Sequence, residues 1–428
     1  MYFVMISLYH SVVVVFGTWP YSDGMHKRNE SGFHFVPLLI IVAVIGLIGL
    51  VAWRVISTIQ DKKNDFQASF NGNCKNGDVA FTSPPMRMED LGYIRPLGAM
   101  LDGHVTPTDH VYVTPIKQDV PDNTYPVLMP ADGTVVEVSR MPDQYVGDRQ
   151  GVQLPQEDHR MVVSFSCRYS AVFIHIHKLS DAVAAAVGTL KPNESKSVSV
   201  DLKAGDTYGY IGGSSFDWTP VDTQSRLSGY ITPDLYKSES WKIHTVSPYD
   251  LYTGDLKKQL EAKSTRTIPP IGGKIDYDQP GKLVGNWFRE GTNGYAGGQQ
   301  QGDGGGRYWD GHLAVVPDYI NPSYTIVSIG NWTGNAKQFL VKGDVDPSKI
   351  GSGTPVKYEL TQFSYAGPNN QPVQNSGAQN MHPVAIGGTE GTIMFEVQSG
   401  EKLKVEKFPG KTADQVGEFT SAAQTYER

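Results

Sequence analysis

Eleven histidines are spread over 428 residues, and three segments hold the histidines and carboxylates that carry the metal reading. His104, Asp109 and His110 crowd the segment Gly103-His104-Val105-Thr106-Pro107-Thr108-Asp109-His110. His175 and His177 stand two apart in the strand-like run Ala171 to His177, and a period of two puts both imidazoles on one side of a strand. Asp217 and Asp222 follow a Gly-rich stretch. Neutral imidazole and carboxylate are the donors of a zinc that activates water, which needs three protein ligands and an open fourth position. The competing reading is a set of packed or surface side chains around a shared cleft.

These residues need a rigid frame, and the composition points to strands. Forty-six Gly, 27 Pro and 22 Tyr against 19% charged residues indicate many short strands and turns, so the fold class is mainly β. From Tyr93 onward, apolar runs bounded by turn residues recur every ~8 to 12 residues, the spacing of sandwiches and barrels. Pro126 to Val138 reads as a hairpin, because Asp132-Gly133 separates two strand-like runs. Met161 to Phe165 and Ala171 to His177 form a further strand pair, and the Ala-rich stretch Asp181 to Leu190 a short helix. Leu202 to Gly213 is a turn, a strand and a turn, with glycines at the bends.

Three of these elements, in order, resemble the lysostaphin-type peptidoglycan endopeptidases. The family's "PVxAPxDGxVxxV" strands, "YxHLS" strand and "VKxGxxIGxxGxTG" segment are matched here by Pro126 to Val138, His175-Ile176-His177-Lys178-Leu179-Ser180 and Leu202 to Gly213. The resemblance covers roughly residues 95 to 255 and implies a lysostaphin-like β-sheet domain. It also implies a zinc held by a His and an Asp four residues apart and by the second His of a late His-x-His. Here the step from His104 to Asp109 is five, and no His lies between His177 and His244. Phe216 to Asp222 stands where the late motif belongs, so Asp217 or Asp222 is the replacement ligand if zinc binds. The metal set so implied is His104, Asp109, His110, Asp217 and Asp222. His175 takes the place of the family's assisting histidine, with His177 beside it. A zinc site and a scaffold without metal are both compatible with these residues.

The chain is also read as carrying a membrane anchor. Phe35 to Trp53 is a run of 19 uncharged residues, close to the ~20 that cross a hydrocarbon core. Met25-His26-Lys27-Arg28-Asn29 is a basic n-region, so Met25 is the expected start and residues 1–24 an upstream extension. The junction at Gly32-Phe33 is similar to type IV pilins, whose fifth mature residue is Glu; here it is Pro37, which favours an uncleaved signal anchor over a pilin-like subunit. The expected order is a cytoplasmic leader at 1–34, a transmembrane anchor at 35–56, a stalk at 57–92, the lysostaphin-like domain at 93–266 and a C-terminal β domain at 267–428. The bulk of a single-pass protein then lies outside the cytoplasm. Cys74 and Cys167 both fall in that part, as a disulfide or as free thiols.

In the C-terminal domain Val284 to Phe288 contains the Gly-x-Trp of lipocalin first strands, and later runs are able to complete a barrel. An interaction or structural β-domain is preferred over a closed ligand-holding barrel. Trp309-Asp310-Gly311-His312, beside a Gly-rich loop, offers either a sugar-stacking surface or a buried Trp next to a turn. The net charge of −7 and the lack of a basic cluster exclude a nucleic-acid surface. The expected protein is a cell-envelope module that binds or scaffolds the cell wall or a surface glycan, with a zinc peptidase of altered ligands as the alternative.

Overall fold

In the computed structural model the described residues are 74, 77, 79–142, 144–147, 153–298, 307–343, 345–373 and 377–428, with 144–147 and 153–156 described for their backbone only. They belong to one compact unit, Lys62–Arg428. The leader, the anchor at 35–56 and most of the expected stalk lie outside the described residues. Among the described residues no helix is long and apolar enough to cross a membrane.

The fold is mainly β. Its first part runs β1 (Leu91–Arg95), β2 (Val111–Pro115), β3 (Tyr125–Leu128), β4 (Gly133–Arg140), β5 (Gln144–Gly147), β6 (Gln153–Gln156), β7 (His159–Ser164), β8 (Tyr169–Ile176) and β9 (Lys178–Leu179). Then follow the helix α1 (Asp181–Val187), β10 (Ser195–Leu202), β11 (Thr207–Ile211) and β12 (Phe216–Asp222). A 3₁₀ segment, Pro233–His244, and the helix α2 (Gly254–Glu261) complete it. Seven strands make one sheet in the order β1-β2-β12-β8-β7-β4-β10, and β3-β11-β9 make a second. Neighbours in both are antiparallel. β12 is central and buried at every position, with Trp218 stacked on Phe173 of β8 at 6.0 Å between ring centroids. A strand flanked on both sides, with both faces covered, is where a buried carboxylate such as Asp217 is held most firmly.

The structure corrects the hairpin at Pro126 to Val138. β3 pairs with β11, whereas β4 pairs with β7 and β10, so Asp132-Gly133 carries the chain from one sheet to the other. Gly133 serves close approach instead of a left-handed turn: a Cβ there would stand 2.8 Å from the Phe165 ring and 3.0 Å from the Ser164 carbonyl. The folded region also starts inside the stretch read as stalk. Phe81 and Met86 are buried in the sheet-side core, and Cys74 is disulfide-bonded to Cys167.

The second part is an eight-stranded closed barrel. It comprises β13 (Gly285–Arg289), β14 (His312–Pro317), β15 (Thr325–Ile329), β16 (Lys337–Val341), β17 (Val356–Ala366), β18 (His382–Gln398), β19 (Lys402–Pro409) and β20 (Gln424–Glu427). β13 pairs with both β14 and β20, which closes the ring and leaves no edge. The C-terminal β domain is thus a closed barrel. Alternate residues such as Trp287, Leu313, Val315, Val327, Phe339 and Phe395 meet in one buried apolar cluster, so side chains fill the interior.

Candidate functional site

Strand register builds the polar cluster. Asp217 of β12 lies opposite Tyr112 of β2 on one side and Ile174 of β8 on the other. Residues paired across strands share a face, and His110 is two residues before Tyr112, so His110 and Asp217 meet. His110 Nε2 is 3.4 Å from Asp217 Oδ2. His175 arrives by a different route. Between the pairs His159–Ile176 and Met161–Phe173, β8 carries one residue more than β7, and His175 adopts a left-handed φ of 69°. That bulge breaks the alternation and re-aims the imidazole. His175 Nδ1 reaches Asp158 Oδ2 at 2.7 Å, and its Nε2 lies 3.5 Å from Asp217 Oδ2.

A second layer comes from the 3₁₀ segment. Trp241 Nε1 donates to Asp109 Oδ2 at 3.1 Å, and the buried Lys242 ammonium lies 3.3 Å from Asp109 Oδ1. His110 Nδ1 is also 3.3 Å from Asp109 Oδ1. Burial alone would raise the Asp109 pKa, but Lys242 and His110 outweigh it and hold the carboxyl below its usual range. Burial acts against the charged form of His175, yet the Asp158 hydrogen bond and the Asp217 charge raise it to about 9. His110 is likewise raised despite burial, through Asp217 and Asp109. Asp217 itself is raised by burial, which His110 and His175 offset in part. His104, with its ring centroid 5.4 Å from that of His110, is pushed down to about 4 by burial and by its cationic neighbours. The cluster thus carries imidazolium at His175 and neutral imidazole at His104 at neutral pH.

The donor set does not fit a zinc with three protein ligands. Both carboxylate oxygens of Asp109 already have partners, and one of these is an ammonium. Asp222, at the far end of β12, is bound by both Arg168 nitrogens at 2.9 and 2.7 Å and takes no part in the cluster. Among the described residues no group of three or more His, Cys, Asp or Glu side chains is placed to hold a metal ion. The His110–Asp217 separation is an ionic contact without hydrogen-bond alignment: His110 Nε2 and Asp217 Oδ1 are buried and make no hydrogen bond within the protein. His177 also departs from the expectation that it shares a side with His175. It faces Gly212, Ser214 and Asp122 instead.

The barrel contributes aromatic rings to the same neighbourhood. Lys242 Nζ sits 4.6 Å from the Tyr295 ring centroid, and Tyr308, 39% exposed, lies 6.2 Å from Tyr295. Trp309 covers Gly103, where a Cβ would meet its ring at 3.0 Å, so the glycine lets the loop before His104 lie flat on the indole. The Trp309 Nε1 is buried without a hydrogen-bond partner in the protein.

Sequence reasoning brought together His104, Asp109, His110, His175 and Asp217, but it missed Asp158, Trp241, Lys242 and Tyr295. Asp158 stands one residue before a strand that was legible. Lys242 lies in a polar stretch whose burial depends on packing against distant residues, and nothing local marks it. No known protein family, curated protein or solved structure matches the chain at a significant level.

Proposed function

We propose that this chain is a single-pass membrane-anchored envelope protein whose sheet region is a degenerate relative of the lysostaphin-type endopeptidases and binds or scaffolds the cell wall. The observation that carries this reading is the internal neutralisation of the cluster. Asp109, the carboxylate nearest the histidines in sequence, is bound to Trp241 and Lys242, where a hydrolase would leave it free for metal. A fixed ammonium next to the would-be ligands repels a divalent cation. What remains is a charged cluster with barrel rings in its neighbourhood, of which Tyr308, 39% exposed, is the one open to stack on a sugar ring. The Cys74–Cys167 disulfide accords with an oxidising, extracytoplasmic compartment.

The test uses the full-length chain purified in detergent, with two readouts. Elemental analysis is expected to find zinc far below one per chain. Sedimentation with purified peptidoglycan sacculi is expected to retain the protein, with weaker retention for Tyr308→Ala. Stoichiometric zinc together with release of soluble wall fragments would overturn the reading in favour of an altered-ligand peptidase.

A further inference from the structure

The turn after β11 is held against a distant loop by two glycines. A Cβ on Gly212 would stand 2.8 Å from the Asp122 Cα, and one on Gly213 only 1.7 Å from the Gln118 carbonyl oxygen. Without those Cβ atoms the loop through 118–122 lies directly on the turn. The contact sets three side chains in a row: Ser214 Oγ is 3.2 Å from His177 Nε2, and His177 Nδ1 is 3.5 Å from Asp122 Oδ1. Ser214 is exposed, while the His177 ring is buried and its backbone N–H is fixed by the Tyr210 carbonyl at 3.0 Å.

We propose that Ser214, His177 and Asp122 form a nucleophilic site for acyl transfer, separate from the Asp217 cluster, that takes the ester of a small acyl group carried on a larger molecule. A nucleophile within hydrogen-bond reach of an imidazole whose other nitrogen faces a carboxylate is the arrangement that activates a serine. With the ring proton on Nδ1, directed at Asp122, Nε2 accepts the Ser214 proton as Oγ bonds to the acyl carbon. The carbon–oxygen bond to the alcohol then breaks, and the alcohol leaves with the proton from Nε2. Water, activated by the same nitrogen, hydrolyses the acyl-serine and releases the carboxylic acid. Gly212 N–H donates to Nδ1 at 3.4 Å, which sets the resting proton on Nε2; Asp122, 3.5 Å from Nδ1, is the positioning residue that must draw the proton to Nδ1 before Nε2 acts as base. Burial lowers the His177 pKa, with Asp122, Asp158, His175 and His159 as its charged or titratable neighbours. The open position of Ser214 suits an acyl group displayed on a bulky carrier better than a substrate that must be enclosed.

The experiment treats the full-length chain in detergent with a fluorophosphonate, which forms an Oγ–P bond, expels fluoride and passes the serine proton to His177. Peptide mass spectrometry is expected to find the adduct on Ser214. Ser214→Ala should abolish it, and His177→Gln should slow it by ~100-fold or more. Asp122→Asn should slow it less, because that carboxylate is well exposed, and should move the pH midpoint of labelling downward, which a purely structural role would not do. Both Ser214 and Asp122 are surface positions, so loss of folding does not confuse these two variants. Absence of an adduct on Ser214, or a labelling rate unchanged in both Ser214→Ala and Asp122→Asn, overturns the proposal.

Discussion

The sheet and the barrel are both all-β, yet they treat buried charge in opposite ways. In the barrel the interior cluster is apolar, and a buried charge, Arg428, sits with its guanidinium on Glu401 and on the carbonyls of Val284, Gln279 and Lys282. Its carbon Cζ also lies 4.0 Å from the Trp287 ring centroid. Each nitrogen of that guanidinium donates at least one hydrogen bond, and together these fasten the chain. In the sheet, buried His110, Asp158 and Asp217 keep polar atoms without partners inside the protein. Leaving such atoms unpaired costs roughly 1–3 kcal/mol each, a cost a fold bears where chemistry or binding needs them. Unpartnered atoms also occur on buried barrel residues, at Asn286, His312 and Tyr358, but among the described residues the buried carboxylates with such an atom, Asp158 and Asp217, belong to the sheet region.

Removing one member from each region breaks the comparison most directly. Trp287→Ala deletes a fully buried indole from the barrel and is expected to cost about 3–5 kcal/mol in denaturant unfolding while leaving the histidine titrations of the sheet unchanged. Lys242→Met keeps the volume but strips Asp109 of its ammonium. It should cost about 3 kcal/mol, because a buried charge is left with an incomplete set of partners, and should also raise the His104 pKa by removing a cationic neighbour. A Trp287 variant that altered the histidine titrations would show that the two regions are not separable in this way.

How far the sequence revealed this depends on how local each signal is. The barrel strands announced themselves as short apolar runs, as in Thr325–Ile329 and Lys337–Val341, because such a run is a property of a few neighbours. The pairing of strands was less legible. Asp132-Gly133 carries a strong hairpin signal, but which strand lies beside Tyr125–Leu128 is decided by β11, some eighty residues away. The cluster shows the same divide. His110 and Asp217 were visible as candidates, whereas the bulge that swings His175 toward Asp217 exists only once β7 and β8 are in register. That bulge also separates His175 from His177, two residues that a regular strand would have kept together.

The pH dependence of stability sharpens the contrast at an intermediate scale. The His175 pKa is raised from 6.5 to about 9 in the folded state, so its stabilisation is fully present below about pH 6.5 and is lost as pH rises through about 9. The side chain is about a third exposed, so solvent screening reduces the effect, and a fall of about 1 kcal/mol across that window is expected in unfolding free energy. Asp158→Asn should remove the hydrogen bond that raises His175 and flatten the slope. A slope that survives Asp158→Asn would mean that the titration belongs to another group.

The smallest effect concerns Asp222, which shares β12 with Asp217 but behaves as the barrel's Arg428 does. Its two oxygens take both Arg168 nitrogens, and Oδ1 also accepts from the Gln224 N–H at 3.0 Å. Burial pushes its pKa up, but the Arg168 hydrogen bonds and the Gln224 N–H prevail and hold it below the usual carboxylate range. The stabilisation is therefore present above pH ~4 and is lost as pH falls through the depressed value. Because the Arg168 side chain is 41% exposed, solvent weakens the pair, and Asp222→Asn is expected to cost only about 0.5–1 kcal/mol. The decisive readout is the titration of His175 in that variant, followed by NMR. Five residues along a strand carry Asp222 ~17 Å from Asp217, well beyond the ~8 Å screening length at physiological salt, so the His175 midpoint should stay where it is. Asp217→Asn removes a charge 3.5 Å from His175 Nε2 and should lower that midpoint. Equal shifts in the two variants would erase the distinction between a carboxylate that fastens the fold and one that serves the site.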